Sequence, residues 1–188
     1  PRHQLQPEGK SNVPYEGANE KTGADFPKGS LPAYGSGLAF KGTAADGALE
    51  FYAITDRGPN GDGPTAPVPG GAGVNISKVF PAPSFAPSFG LVTVGKGGAV
   101  LQTSVALKQD ATRKISGLPP QSGVGATRET PLTDAYRFDP AKANFDANGL
   151  DPETLVLDKA RKVLWSSDEY GPFIVRNNIE SGVIEKKY

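Results

Sequence analysis

The sequence predicts an all-β protein, and three features support that fold class. The chain has 24 glycines and 18 prolines among 188 residues, a share above the average that leaves little room for long helices. Its apolar segments are short and occur in pairs separated by turn residues, which is typical of β-hairpins. One such hairpin unit also recurs further along the chain, as in repeat architectures.

The hairpins follow one another from Gly35 onwards. GSGLAF and LEFYAITD flank a turn at Asp46-Gly47, and SKVFPAPSFAPSFGLVTVG and GGAVLQTSVALK are predicted as two strands joined around Gly95. ETLVLD pairs with KVLWSSD, and FIVRNN pairs with GVIEKKY. Residues 60–73 and 110–131 are rich in Gly and Pro, so we predict long irregular connections there.

Two further segments complete the organisation. Residues 1–30 are polar and lack any apolar period, which predicts an extended N-terminal arm and leaves residues 31–188 for the β domain. Residues 140–147 are the one place where a short helix is plausible, and a loop fits them equally well.

The internal repeat refines the fold class. Gly37 leads through a hairpin to Asp56, and Gly149 leads through a hairpin of the same length to Asp168. Each aspartate is followed within three positions by a Gly-Pro pair. A repeated hairpin that ends in an acidic turn is typical of a β-propeller blade, and blades stack around a central channel. The alternative is chance similarity between two hairpins.

Composition excludes several classes of function. The formal net charge is zero, which removes the simplest argument for a nucleic-acid or anionic-membrane partner. No apolar run approaches the ~20 residues of a membrane helix. The chain has no cysteine and one histidine, His3, and it lacks a Gly-x-Ser-x-Gly elbow. Because His3 lies in the N-terminal arm, the sequence argues against a Ser-His-Asp hydrolase wholly within this chain. The absence of cysteine excludes a thiolate metal site.

Five stretches together resemble the secreted phytase-like family, also described as "esterase-like activity of phytase". They are GSGLAF, FYAITDRGPNG, KVFPAPSFAPSFGLV, GLDPETLVL and LWSSDEYGPFI. The resemblance covers roughly residues 30–188, and the last two stretches are its most specific part. It implies a β-propeller, export to the periplasm or cell exterior, and a calcium-linked phosphoesterase or esterase activity. Members of the family extend further, so we expect this chain to hold the first two or three blades. The remaining blades then lie on another chain or in further sequence.

Acidic residues at the ends of the repeated hairpins form the candidate site. Asp168 and Glu169 are adjacent at the end of an apolar strand, Asp56 ends the equivalent strand, and Glu153 begins the second hairpin. If the hairpins are blades, these ends converge on the mouth of the channel. Calcium takes six to eight oxygen ligands with loose geometry, so we predict Ca²⁺ as the cofactor, bound by Asp56, Glu153, Asp168 and Glu169.

Each candidate also has a structural alternative. Asp56, Glu153 and Asp168 could accept turn or cap hydrogen bonds, and Glu169 could form a salt bridge. Arg57 could clamp a phosphate or carboxylate with its planar fork, or it could pair with a neighbouring acid. Ordinary turn chemistry is the favoured interpretation of the NGDG stretch at residues 60–63.

Two hypotheses for function remain at this point. The first is an exported calcium-dependent hydrolase of phosphate or carboxylate esters, with Glu153, Asp168 and Arg57 as its catalytic residues. The second is a non-catalytic propeller that calcium stabilises and that presents loops to an envelope or extracellular partner. A metal with an open coordination position favours the first, and a fully enclosed metal favours the second.

Overall fold

The structure is a computed structural model that describes residues 5–6, 12–68, 71–121, 123–125, 127–132 and 143–188. Within these ranges the regular secondary structure is almost entirely β-strand, arranged in three open sheets, with one short helix. The all-β prediction is therefore confirmed. The helix is α1 (Glu20–Asp25) and the strands are β1 (Leu5–Gln6), β2 (Gly37–Thr43), β3 (Leu49–Ile54), β4 (Gly61–Asp62), β5 (Ala66–Pro67), β6 (Val74–Val79), β7 (Ser88–Gly95), β8 (Gly98–Ala106), β9 (Glu129–Leu132), β10 (Val156–Asp158), β11 (Val163–Asp168), β12 (Phe173–Asn178) and β13 (Ile184–Lys187).

The first sheet has the strand order β1-β8-β7-β3-β2. Strands β2, β3, β7 and β8 pair antiparallel with their neighbours, and β1 lies parallel to β8 at the edge. The predicted hairpin of β2 and β3 is confirmed, and so is that of β7 and β8. Gly47 has a φ of 84° in the first turn, a left-handed conformation that glycine adopts without steric cost.

The second sheet is a four-stranded antiparallel meander in the order β10-β11-β12-β13. Both hairpins predicted here are confirmed. In the β12–β13 turn, Asn178 Oδ1 accepts the backbone N–H groups of Glu180 and Ser181, each at 3.0 Å. Gly182 closes that turn with a φ of 74°. Local turn chemistry therefore sets the register of this sheet.

The third sheet corrects the predicted connections at 60–73 and 110–131. Strand β6 pairs antiparallel with β4 and β5 and parallel with β9, so both segments contribute strands. The segment SKVFPAPSFAPSFGLVTVG is also divided, because its first residues belong to β6 and its last to β7. Prolines at positions 81, 83 and 87 separate the two strands, since proline cannot donate to a ladder. Edge strands of two residues tolerate Gly and Pro because they form so few ladder bonds.

The N-terminal segment differs from an extended arm. Asn19 caps α1, and its side chain accepts the backbone N–H of Thr22 at 2.9 Å. Val13 and Ser30 exchange two backbone hydrogen bonds, of 2.7 and 2.8 Å, which close the segment into a loop. The described residues of the other predicted helix, 143–147, are not helical, and residues 140–142 lie outside the described part of the chain.

The main core lies between the first and second sheets. Its buried residues come from both sheets and from the segments that connect them: Ala39, Ile54, Phe89, Leu107, Ile115, Leu150, Leu155, Leu164 and Val175. The sheets are also joined by backbone hydrogen bonds, with Lys108 N donating to Gly182 O and Ile184 N donating to Lys108 O. The described part of the chain has no helix that is long and apolar enough to cross a membrane.

Gly117 provides a test of how tightly the connection between the sheets is packed. A Cβ atom at Gly117 would lie 1.9 Å from the backbone oxygen of Arg57, whereas a Cβ at Gly42 would meet no atom within 4 Å. We expect Gly117→Ala to lower the free energy of unfolding by more than about 2 kcal/mol, because backbone has to move. Urea denaturation measures the change. Gly42→Ala is the matched control, and equal stability of the two variants would contradict this packing.

Candidate functional site

The candidate site lies where strands of the first and second sheets end side by side. Arg57 follows β3, and Asp168 is the last residue of β11. Residues 151–153 run beside the end of β11, with Glu169 N donating to Asp151 O at 2.9 Å and Glu153 N donating to Ser167 O at 3.2 Å. Asp151 and Glu153 are two positions apart in this extended segment, so their side chains share one face.

Arg57 is the centre of this site. Its side chain is 13% exposed, and each guanidinium nitrogen faces a different carboxyl group. Nη1 lies 2.7 Å from Glu129, Nε lies 2.9 Å from Asp151, and Nη2 lies 3.9 Å from Glu169. The backbone N–H of Arg57 also donates to Asp151 Oδ1 at 3.0 Å. Arg57 thereby connects residues from β9, from the segment before β10 and from the end of β11.

Tyr170 packs against the guanidinium of Arg57. Its ring centroid lies 5.5 Å from Arg57 Cζ, which is a cation–π distance. Its hydroxyl group donates to the backbone oxygen of Gly117 at 2.5 Å, and its own backbone oxygen accepts the N–H of Thr127 at 3.1 Å. Tyr170 is almost completely buried, in agreement with the packing role that its aromatic ring predicts.

Asp151 and Asp168 are both buried and are linked to one another. Asp168 Oδ1 accepts the backbone N–H of Asp151 at 2.8 Å and that of Tyr170 at 3.3 Å. Asp168 Oδ2 lies 3.5 Å from Lys187 Nζ. Asp168 therefore fixes the backbone that carries Asp151, and Asp151 in turn fixes the backbone of Arg57.

Three carboxyl groups come close enough to share one cation. Oxygens of Asp151, Glu153 and Glu169 all lie within 4.8 Å of one another. Asp151 is buried, whereas Glu153 and Glu169 are exposed, so the group opens to solvent on its glutamate side. A cavity of about 210 Å³ adjoins the group, lined by Arg57, Thr127, Glu129, Glu169 and Tyr170.

Burial and neighbouring carboxyl groups shift the pKa values of the residues at this site. Burial raises the pKa of Asp151 to about 8; Arg57 opposes that rise and Glu169 adds to it. Burial also raises the pKa of Glu153, with further increases from Glu169 and Asp56. Burial alone would lower the pKa of Arg57, but Asp151, Tyr170 and Glu129 hold it above its ordinary value. Bringing a divalent cation to such a site would favour the ionised carboxylates.

The structure brings together some of the residues predicted from the sequence. Arg57, Glu153 and Glu169 meet at one place, and Arg57 pairs with neighbouring acids. Asp56 is adjacent, but its Oδ1 accepts the backbone N–H of Gly58 at 2.8 Å in a turn. Asp168 is close as well, yet it is engaged by backbone N–H groups, so neither aspartate belongs to the group of three.

Two members of the site were missed by the sequence analysis. Asp151 stands within the quoted stretch GLDPE, and its spacing of two from Glu153 was the signal that could have identified it. Glu129 reaches Arg57 from 72 positions away, and no local pattern marks it. In the NGDG stretch, Asn60 donates to the Gly58 carbonyl, which is turn chemistry. Asp62 differs from that prediction, because it lies in β4 and forms a cross-strand ion pair with Lys78 of β6.

Comparisons of the chain with protein-family models, with curated proteins and with solved structures find no match.

The raised pKa of Asp151 predicts a dependence of stability on pH in the absence of metal. Folded Asp151 keeps its proton up to a pH of about 8, whereas an unfolded aspartate releases it at about 3.9. The folded state binds more protons between these values, so this group makes stability fall as the pH rises through that window. Urea denaturation at a series of pH values, in the presence of a chelator, measures this effect. As the pH rises through the window, the wild-type chain should lose stability relative to Asp151→Asn.

Asp46→Asn is the matched control for this measurement, because Asp46 is exposed in the β2–β3 turn. It should keep the wild-type slope of stability against pH. Parallel profiles for the wild type and Asp151→Asn would contradict the raised pKa.

Proposed function

We propose that this chain is part of an exported, calcium-dependent hydrolase of phosphate or carboxylate esters, related to the phytase-like family. The observation that carries the proposal is the open group of Asp151, Glu153 and Glu169 beside the Arg57 guanidinium. Carboxylate oxygens are the ligands that calcium prefers, and they come here from separate segments, as its loose geometry allows. An arginine next to them suits the oxygens of a phosphoryl or carboxyl group.

We also propose that the first and second sheets are consecutive blades of a β-propeller. Both contain a four-stranded antiparallel meander: β2-β3-β7-β8 in the first and β10-β11-β12-β13 in the second. The repeated Gly-to-Asp unit spans the first two strands in each case. The first meander differs by the long insertion between β3 and β7, which contains β4, β5 and β6. Strand β3 of the first meander and strand β11 of the second both end beside the candidate site, which is where a channel mouth would lie.

Each residue has a distinct role in the proposed reaction. Asp151, Glu153 and Glu169 would hold the cation, which when bound polarises the ester oxygen and lowers the pKa of a water molecule. Arg57 binds the phosphoryl or carboxyl oxygens, and Glu129 orients its guanidinium. Glu153 is exposed, and an ionised carboxylate beside the cation can accept a proton from the reacting water. Asp168 is buried, so the proposal gives it a positioning role in place of the catalytic role predicted from the sequence.

The alternative function is a calcium-stabilised propeller without catalysis. The observation that favours it is the position of buried Asp151, which joins the end of β11 to the end of β3 through backbone hydrogen bonds. A cation bound there would strengthen the junction between two sheets. The exposure of Glu153 and Glu169 favours the hydrolase, because it leaves room for water and substrate.

Hydrolysis of 4-nitrophenyl phosphate and 4-nitrophenyl acetate separates the two functions. We expect turnover in calcium chloride, its loss in chelator, and a decrease in kcat of about 10²-fold or more in Glu153→Gln, because general acid–base catalysis contributes on that scale. Glu180→Gln is the matched control, since Glu180 is exposed and forms an ion pair with exposed Lys162.

Turnover that persists in chelator and in Glu153→Gln would overturn the proposed hydrolase. A rise in the melting temperature on addition of calcium, without turnover of either ester, would instead support the non-catalytic propeller.

A further inference from the structure

Arg57 is neutralised by the same carboxyl groups that would hold a cation. Its three guanidinium nitrogens face Glu129, Asp151 and Glu169, and the last two belong to the group of three. Three carboxyl groups around one guanidinium leave little net positive charge to attract an additional anion. In this arrangement the cavity beside Arg57 is a poor site for a phosphoryl or carboxylate group.

The contact of Arg57 with Asp151 leaves one oxygen incompletely satisfied. Asp151 Oδ2 is fully buried and accepts no hydrogen bond, although Arg57 Nε is 2.9 Å away. A buried carboxylate oxygen without a hydrogen bond is costly. Asp151 also belongs to the group of three carboxyl groups, so a cation bound there would compete with Arg57 for this buried side chain.

The contact of Arg57 with Glu169 is the easiest of the three to break. Nη2 and Glu169 Oε2 are 3.9 Å apart, the longest of the three contacts, and the Glu169 side chain is 59% exposed. Exposed ion pairs of this kind contribute little to stability. The cavity of about 210 Å³ lies at this side of the guanidinium, since Glu169 and Tyr170 both line it.

We infer that Arg57 and a divalent cation compete for Asp151 and Glu169, so that Arg57 becomes an oxyanion site only when the cation is bound. When Glu169 turns to the cation, Nη2 of Arg57 is exposed to the cavity and presents its N–H groups there. Glu129 stays on Nη1 and keeps the planar fork oriented. The inference rests on the proposed function and adds an order of binding to it: the cation binds first, and the phosphate or carboxylate group binds second.

Coupling of this kind is reciprocal, because linkage requires that each ligand raise the affinity for the other by the same factor. Removing Arg57 should remove the internal competitor for the carboxyl groups, and it should remove the oxyanion site as well. Removing the charge of Glu169 should release Nη2 without any cation. In the absence of metal, the substitution of Glu169 should therefore strengthen anion binding, whereas the substitution of Arg57 should not.

Isothermal titration calorimetry with phenylphosphonate, a phosphate-ester mimic with a C–P bond that resists hydrolysis, tests the inference. We expect the wild-type chain to bind phenylphosphonate about tenfold or more tightly in calcium chloride than in chelator, within the usual range of coupling. Glu169→Gln should bind it at least about threefold more tightly than the wild type in chelator, and it should bind calcium more weakly.

Arg57→Gln should lose phenylphosphonate binding in calcium chloride while its affinity for calcium alone is equal to or higher than that of the wild type. Arg113→Gln is the matched control, because Arg113 is exposed and pairs with Asp110, and both affinities should be unchanged. Glu169 is at the surface, so its variant keeps the test valid if Arg57→Gln does not fold.

The outcomes separate the inference from the proposed function. If the wild-type chain binds no calcium, the proposed function is contradicted and the coupling with it. If it binds calcium and its affinity for phenylphosphonate is the same in calcium and in chelator, only the inference is overturned. Glu169→Gln that binds phenylphosphonate no better than the wild type in chelator would also overturn it.

Discussion

The contact between Arg57 and buried Asp151 is the interaction on which the rest of the site depends. Asp151 accepts the backbone N–H of Arg57 and faces its guanidinium, while its own backbone N–H is held by Asp168. This chain of contacts connects the end of β3 in the first sheet with the end of β11 in the second. Buried charged groups are costly unless they are paired, so the two strand ends have little freedom to separate. The same constraint places Glu153 and Glu169 side by side.

The constraint also relates the fold to the proposed chemistry. The carboxyl groups come from different segments, so no short motif contains them all. The junction of the two sheets brings them together. Packing at Gly117 and Tyr170 brings the connection between the sheets against Arg57. Burial and crowding of acids then raise the pKa of Asp151 and Glu153. A site of this kind combines oxygen ligands, one arginine and an open side, which suits the metal-dependent ester hydrolysis that we propose.

Much of the architecture could be predicted because it is set by local chemistry. The hairpins of both meanders follow from turn residues such as Gly47 and Asn178, whose conformations and hydrogen bonds are determined within a few positions. Strands β4, β5 and β9 could not be predicted, because they exist only where β6 pairs with them. The capped helix α1 had a signal in Asn19, but its length of six residues gave no apolar period.

The candidate site could also be predicted only in part. Arg57, Glu153 and Glu169 stand beside recognisable strand ends, whereas Glu129 reaches the site from 72 positions away, through tertiary pairing of β9 with β6. The most direct test of the account is a double-mutant cycle with Arg57→Gln, Asp151→Asn and the double variant, measured by urea denaturation in chelator at a pH above the Asp151 pKa of about 8, where that carboxyl group is ionised. The account predicts a coupling free energy of about 2 kcal/mol or more between the two side chains. Effects that add to within about 0.5 kcal/mol would contradict it, because distant and independent sites behave in that way.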